Sequence, residues 1–230
     1  FDIPFYKIPS GEITNLPYLR HIGRMGKPII MSTGMSTLKE IKEALEILLT
    51  SGSKKDNITI LHCNTEYPTP MKDVNLKAML TIKEKFDISI GYSDHTLGTE
   101  VSIAAVALGA KVIEKHFTID RTLSGPDHSF AIEPSELKKM VDNIRLAETM
   151  MESKKCEYTE SEKSFSMARR SIVAKENVSK GDVLTEDNIT TKRPLLEDSI
   201  PAIEYYNVMG KKVNTNIKED EIITRGMING

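Results

Sequence analysis

Five short apolar segments alternate with helical patterns in the first half of the chain, and this alternation restricts the fold more than any other feature. Each segment ends in Gly, Pro, Ser or another polar residue, as buried strands do. The segments are residues 5–11, 27–35, 58–70, 87–96 and 111–118. Between two of them, residues 36–50 have the period of an amphipathic helix, with Ser36 as the expected N-cap. Strands that are joined by single helices form a parallel sheet with the helices outside it.

Two architectures fit this pattern: a doubly wound sheet and part of a (β/α)₈ barrel. The sequence contains neither GxGxxG nor GxxxxGK[ST], the glycine-rich loops with which many doubly wound sheets hold nucleotides. We therefore favour the barrel, of which residues 1–150 supply the five C-terminal strands. About three further strand–helix units are expected upstream of Phe1.

After the fifth strand the regular alternation of strands and helices ends. Residues 135–151 predict a strong amphipathic helix with Ser135 as its N-cap. Residues 151–170 are polar and charged, which predicts a linker or a short helix. From residue 171 to residue 230, short β-type runs separated by a Lys-Gly-Asp turn predict a small β-rich domain.

The composition excludes several classes of partner. The chain has 31 basic and 33 acidic residues, a net charge of −2, so it has no overall field to attract nucleic acid or an anionic membrane. Its two cysteines are far apart and form no CxxC pair, which favours a reducing cytoplasm. No apolar run approaches the roughly 20 residues of a membrane helix. A small anionic substrate is compatible with this nearly neutral composition, because its binding site needs only a few local hydrogen-bond donors.

Polar side chains follow each strand at the edge that carries chemistry in parallel α/β folds. His95 and His116 follow the fourth and fifth strands, so they would be neighbours that either bind a metal or form structural hydrogen bonds. Asp127 follows a Gly-Pro pair and would either bind sugar hydroxyls or form a turn. The remaining donors would hold a phosphate or carboxylate, or serve as turn residues; they are Lys7, Ser10, Ser32, Asn64, Thr65 and Ser93.

Eight motifs in this order resemble the sialic acid synthase family, which includes N-acetylneuraminate synthase and its bacterial nonulosonate relatives. The resemblance implies a (β/α)₈ barrel, a C-terminal antifreeze-like (SAF) domain and a domain-swapped homodimer. It also implies condensation of phosphoenolpyruvate, water and N-acetylmannosamine, or a related hexose, to N-acetylneuraminate or a related nonulosonate plus phosphate. The motifs are YKIPSGE, IIMSTGM, ILHCNTEYPTP, DVNL, IGYSDHT, IEKHFT, GPDH and VSKGDVLTEDNITTKRP.

The resemblance also implies roles for individual residues. His95 and His116 match the metal-binding and catalytic histidines, with Mn²⁺ as the expected ion and Mg²⁺ or Co²⁺ as alternatives. Tyr67 and Asp127 match residues near the sugar, and Arg193 matches an arginine that reaches the N-acetyl group in the partner's site. The matches to phosphoenolpyruvate contacts are Lys7, Ser10, Ser32, Ser93 and either Asn64 or Thr65. The family's AEIG-type glutamate and KFQ-type lysine are not in this sequence, so we expect no turnover from this chain alone.

Three alternatives remain open. A Schiff-base aldolase on the same barrel would need a buried lysine, for which Lys115 is the candidate. The tail alone could be a carbohydrate-binding or ice-binding module, although it has no regular threonine array. Within the family, HCNTEYPTP resembles the N-acetylneuraminate and legionaminate branches more than the pseudaminate branch. Legionaminate synthesis begins from a 2,4-diacetamido sugar.

Overall fold

The five predicted strands form one parallel sheet in which the strand order follows the chain. The computed structural model describes residues 2–151 and 158–229. The strands are Tyr6–Ile8 (β1), Ile29–Ser32 (β2), Ile58–Cys63 (β3), Ser89–Asp94 (β4) and Ile113–Lys115 (β5). A doubly wound sheet reverses its order at a switch point, whereas a barrel adds each strand beside the last. The observed order is therefore that of a partial (β/α)₈ barrel, as predicted.

Helices cover the outer face of this sheet. Alternate strand residues, including Ile29, Met31 and Ile60, pack with helix residues such as Leu19 and Leu48 in one buried core. The helices are Leu16–Gly23 (α1), Leu38–Thr50 (α2), Lys77–Phe86 (α3), Glu100–Ala107 (α4) and Pro134–Met150 (α5). Among the helices of the described residues, none combines the length and apolar character needed to cross a membrane.

Two predicted N-caps were wrong. The cap of α2 is Thr37, because its side chain accepts from the Glu40 backbone N–H while the Glu40 carboxylate accepts from the Thr37 N–H. The Ser36 hydroxyl instead donates to the Gly34 carbonyl. In α5 the first helical residue is Pro134, whose fixed φ and missing N–H suit that position, so the cap moves to Glu133 and Ser135 lies inside the helix.

The chain divides into two units, residues 1–154 and 155–230. In the second unit, Ser171–Ala174 (β6) pairs antiparallel with Ile189–Lys192 (β7), and two short helices, Glu160–Lys163 (α6) and Tyr205–Val208 (α7), flank them. Isolated antiparallel bridges such as Val178–Ile217 extend the β character that the sequence predicts. This unit has its own apolar core, formed by Ile172, Ala174, Val178, Leu184, Ile189, Ile200, Val208, Val213, Ile217 and Ile223. Of the predicted linker, residues 152–157 lie outside the described residues.

Candidate active site

Lys7 and Glu114 lie on the first and last strands of the sheet, yet their side chains meet. The Lys7 Nζ atom is 3.2 Å from Glu114 Oε2. The sheet therefore curves strongly, and the inward-facing residues at its C-terminal edge share one hollow. This cavity of about 500 Å³ is lined by Lys7, Pro9, Ser10, Gly11, Ser32, Met35, Thr65, Tyr67, Ser93, His95, Glu114 and His116.

His95 is held as a neutral imidazole with its Nε2 lone pair facing this cavity. Its Nδ1 atom lies 2.6 Å from the Asn64 carbonyl oxygen, so Nδ1 must carry the proton. The Ser93 hydroxyl lies 3.3 Å from His95 Nε2, but it donates its single proton to Glu114 Oε1 at 2.7 Å. Burial lowers the pKa of His95 by more than the Asn64 carbonyl raises it. At neutral pH, Nε2 is therefore an available acceptor or ligand.

His116 completes a pair of imidazoles with aromatic rings on one side. Its ring centroid is 5.4 Å from that of His95. The Tyr67 ring lies 4.1 Å from the His95 ring, and the Phe130 ring lies 5.1 Å from the His116 ring. Asp127 Oδ2 is 3.6 Å from His116 Nδ1, beyond hydrogen-bond length, so it lies beside the imidazole without bonding to it. These contacts restrict how far either imidazole can turn.

The histidine pair fits an open metal site. Two neighbouring imidazoles, one with a free Nε2 lone pair, leave the remaining coordination positions to water and substrate oxygens. Within residues 2–151 and 158–229, no group of three or more His, Cys, Asp and Glu side chains is arranged to hold a metal ion. An ion held at this place would have His95 and His116 as its two imidazole ligands, and water or substrate oxygens would have to supply the others.

The predicted donors differ in how freely they can bind an anion. The Ser32 hydroxyl is buried and has no hydrogen-bond partner among the described residues. The Ser10 hydroxyl accepts from the Gly34 N–H at 2.9 Å. A Cβ on Gly34 would lie 2.5 Å from the Thr65 methyl carbon and 2.8 Å from Ser10 Oγ, so glycine lets these two side chains converge. An unpaired buried hydroxyl is costly, and a ligand oxygen would satisfy it.

The structure separates the two candidates in the loop after β3. Thr65 lines the cavity, whereas the Asn64 side chain accepts from the Glu66 N–H and forms a local turn. Asn64 reaches the site through its carbonyl, which fixes the His95 tautomer. Arg193 lies in the second unit, where it is exposed.

Glu114 is a charged cavity residue that the sequence interpretation missed. It lies on β5 two positions before His116, and side chains two apart in an extended segment point to the same face. That alternation, which places a carboxylate on the same face as His116, was the available signal. Asp94 and Lys115 were also overlooked as a pair, and both are buried on the opposite face.

Comparison with known proteins gives two family matches. A model described as the NeuB family matches residues 1–156, and one described as the SAF domain matches residues 169–229. The SAF match confirms the predicted class of the second domain.

Three proteins illustrate the likeness. N,N'-diacetyllegionaminic acid synthase of Campylobacter jejuni is 51% identical over 96% of this chain and 66% of its own length. Human N-acetylneuraminate-9-phosphate synthase is 37% identical over 99% of this chain and 63% of its own length. The crystal structure of an N-acetylneuraminic acid synthetase from Leptospira borgpetersenii, in complex with citrate, is 37% identical with a TM-score of 0.65, over 71% of this chain and 56% of that one. The chain spans 60% to 66% of the length of the curated relatives that it matches first.

Proposed function

Because the chain belongs to the NeuB family, as its motifs predicted, we propose that the protein condenses phosphoenolpyruvate with an N-acetylmannosamine-type sugar to form a nonulosonic acid. The observation that carries this proposal is the neutral His95 beside His116 in a cavity that also holds Lys7, Glu114 and the unpaired Ser32 hydroxyl. The names of its relatives agree with it. These residues bring two imidazoles, a cation, a carboxylate and a free hydroxyl to one cavity.

His95 and His116 would hold a divalent metal, with Mn²⁺ as the first choice and Mg²⁺ or Co²⁺ as alternatives. When bound, such an ion supplies Lewis-acid polarisation for a carbonyl oxygen such as the sugar aldehyde. The residues around the two histidines fix the orientation and the protonation of the imidazoles. The Asn64 carbonyl fixes the His95 tautomer, and Tyr67 and Phe130 limit the rotation of the rings.

The phosphoenolpyruvate carboxylate and phosphate need several donors at fixed positions. Ser32 offers a free hydroxyl. Lys7 has three ammonium protons, of which one faces Glu114 and another is donated to the Ile8 carbonyl at 3.5 Å. Ser10, Ser93 and Thr65 line the same cavity, with Asn64 beside it. We assign these residues to the anionic substrate, which keeps its C3 atom aligned with the sugar aldehyde.

The reaction joins C3 of phosphoenolpyruvate to the aldehyde carbon. The electrons of the C2=C3 double bond form the new bond, C2 becomes positively charged, and the former aldehyde oxygen gains a proton to become a hydroxyl. Water then adds to C2, and the tetrahedral intermediate collapses with loss of phosphate. Adding water requires that a proton be removed. Among the described residues that line the cavity, Glu114 is the carboxylate, so we assign it to hold or accept protons there, with Ser93 as its hydrogen-bonded neighbour.

The sugar would lie beside Tyr67 and Asp127. The Tyr67 phenol is protonated at neutral pH like any tyrosine, and burial raises its pKa further, so it can donate to a sugar oxygen. We also propose that Arg193 reaches the sugar's N-acetyl group from the partner subunit of a domain-swapped homodimer. The greater identity to the legionaminic acid synthase, 51% against 37%, favours a 2,4-diacetamido sugar as the second candidate substrate.

The Schiff-base alternative loses its candidate nucleophile. Lys115 does not line the cavity, and its side chain is only 4% exposed. Its Nζ atom is 3.1 Å from Asp94 Oδ2 and donates to the Thr96 carbonyl at 2.7 Å. An amine held in this way cannot reach a substrate carbonyl, so the metal-assisted condensation is the better proposal.

The test is phosphate release from phosphoenolpyruvate by the full-length protein, with each sugar in turn and with or without Mn²⁺. We expect release that depends on both metal and sugar, and its loss in His95→Asn. His21→Asn is the matched control, because His21 is an exposed imidazole on α1. No release with either sugar from folded protein, or full activity in His95→Asn, would overturn the proposal.

A further inference from the structure

Asp94 and Lys115 form a buried ion pair directly behind the two histidines. The Asp94 carboxylate is fully buried, the Lys115 side chain is 4% exposed, and the atoms Lys115 Nζ and Asp94 Oδ2 are 3.1 Å apart. The two residues are also direct partners in the register of β4 and β5. In the sequence, Asp94 immediately precedes His95, and Lys115 immediately precedes His116.

Asp94 shapes the turn in which His95 is the middle residue. Its Oδ1 atom accepts from the Thr96 N–H at 2.9 Å and from the Thr96 hydroxyl at 2.7 Å. Its Oδ2 atom accepts from the Ser102 hydroxyl on α4 at 2.6 Å. The backbone on both sides of His95 is thus fixed to one buried carboxylate, which is in turn fixed to the following helix.

Lys115 connects this turn to the next strand. Its ammonium group binds the Asp94 carboxylate and also donates to the Thr96 carbonyl at 2.7 Å. One cation therefore contacts residues on both sides of His95, while its own backbone leads directly into His116. No other described side chain bonds to both neighbours of His95.

A buried ion pair is weak evidence for stability, because desolvation offsets most of the attraction between its charges. Buried polar groups of this kind serve better to fix a register. Here the pair fixes the register of β4 against β5, and that register sets the distance between the imidazoles of His95 and His116. Neither Asp94 nor Lys115 lines the cavity, so neither can contact a substrate there. Any effect of the pair on the site must therefore act through the positions of the two histidines.

We infer that Asp94 and Lys115 are positioning residues that set the orientation of His95 and its distance from His116. This inference rests on the proposed function, in which the two imidazoles hold one ion. Removing a group that bonds directly to a metal-binding histidine typically changes metal affinity about 10-fold to 100-fold. Asp94 and Lys115 act through the backbone of the His95 turn instead, so we expect an effect at the lower end of that range.

The test variant is Asp94→Asn combined with Lys115→Met in the full-length protein. Asparagine keeps an oxygen for Thr96, and methionine fills the space of the lysine stem, so no charge is left buried alone. We expect the thermal midpoint to stay close to that of the wild type while the Mn²⁺ dissociation constant, from the EPR signal of free Mn²⁺, rises about 10-fold or more. In metal-free protein, ¹⁵N NMR of the imidazoles should show His95 changing from one Nδ1–H tautomer to a mixture.

The matched control is Lys55→Met combined with Asp87→Asn, which removes an exposed ion pair of 3.0 Å. It should change neither readout. If the Asp94–Lys115 double variant does not fold, Ser102→Ala removes one hydroxyl donor to Asp94 and leaves the ion pair intact. We expect it to weaken Mn²⁺ binding about threefold, in the direction that loss of an outer-shell partner gives.

The outcomes separate the two proposals. A folded double variant with an unchanged His95 tautomer and unchanged Mn²⁺ affinity overturns the positioning inference alone, as does unchanged affinity in Ser102→Ala if the double variant does not fold. Failure of the wild type to bind Mn²⁺ overturns the metal site of the proposed function. In that case the tautomer measurement still decides whether the pair orients His95.

Discussion

Lys7 on the first strand and Glu114 on the last form an ion pair of 3.2 Å across the hollow of the sheet. Their side chains are 28% and 39% exposed, and partly solvated pairs of this kind contribute about 1 kcal/mol or less to stability. The pair therefore matters less for the fold than for the cavity. It places a cation and a carboxylate together beside the two imidazoles.

We predict that Glu114→Gln lowers kcat for phosphate release about 100-fold, because the variant keeps the shape but loses the group that accepts a proton. The amide oxygen can still accept from Ser93, so the thermal midpoint should change little. Steady-state kinetics and a melting curve measure the two effects. Glu84→Gln, an exposed carboxylate on α3, is the control. A kcat within threefold of the wild type would remove Glu114 from the proton chemistry.

We predict that Ser32→Ala raises the KM for phosphoenolpyruvate while it stabilises the substrate-free protein by up to about 1 kcal/mol. The physical reason is that the Ser32 hydroxyl is buried without a partner until a ligand oxygen binds it. Urea unfolding and steady-state kinetics of the same preparation measure both changes.

Tyr92→Phe is the matched control for Ser32→Ala. The Tyr92 hydroxyl is also buried without a partner among the described residues, but Tyr92 packs in the core outside the sheet and does not line the cavity. Its removal should stabilise the protein and leave KM unchanged. If both variants behave alike in KM, Ser32 has no special role with the substrate.

The features that the sequence predicted depend on residues close together in the chain, whereas those that it missed depend on contacts between distant segments. The strands and the positions of His95 and His116 are local patterns, so they could be predicted. The free Nε2 of His95 depends on the Asn64 carbonyl and on Glu114, which belong to neighbouring strands and loops. Such contacts become visible only once the sheet is assembled.

The same reasoning explains the two wrong helix caps. Ser36 and Ser135 are good cap residues in isolation, but a reciprocal bond between Thr37 and Glu40 and the fixed φ of Pro134 decide where each helix begins. The alternation that places Glu114 on the face of His116 places Lys115 on the other face, so the sequence itself counted against Lys115 as a nucleophile. Its buried partner Asp94 becomes visible only in the assembled sheet.

We predict that Arg193→Ala raises the KM for the amino sugar about 10-fold and leaves the KM for phosphoenolpyruvate nearly unchanged. Truncating a charged hydrogen-bonding side chain weakens the binding of the substrate that it contacts and of no other. Steady-state kinetics with each substrate varied in turn give the two constants. Lys175→Ala, an exposed cation of the same unit, is the control. Equal damage to both constants would contradict the assigned role.

We predict that the metal-free protein loses stability as the pH falls below the ordinary histidine pKa of 6.5. Burial lowers the pKa of His62 and of His95 in the folded protein, in each case by more than the backbone carbonyl bonded to the ring raises it. The unfolded chain then binds protons at a higher pH than the folded chain does. The stabilisation is therefore complete above pH 6.5 and is lost as the pH falls through the lowered folded values.

Urea unfolding with a chelator present, from about pH 8 to about pH 5.5, measures this dependence in a range where few carboxyl groups titrate. His62→Gln should reduce the slope, because glutamine can still donate to the Val74 carbonyl but takes up no proton. Adding His95→Asn should reduce the slope further, because the second imidazole whose pKa burial lowers is then also absent. A profile that stays flat below pH 6.5 would show that His95 is not held neutral by burial, and the availability of its Nε2 lone pair would need another explanation.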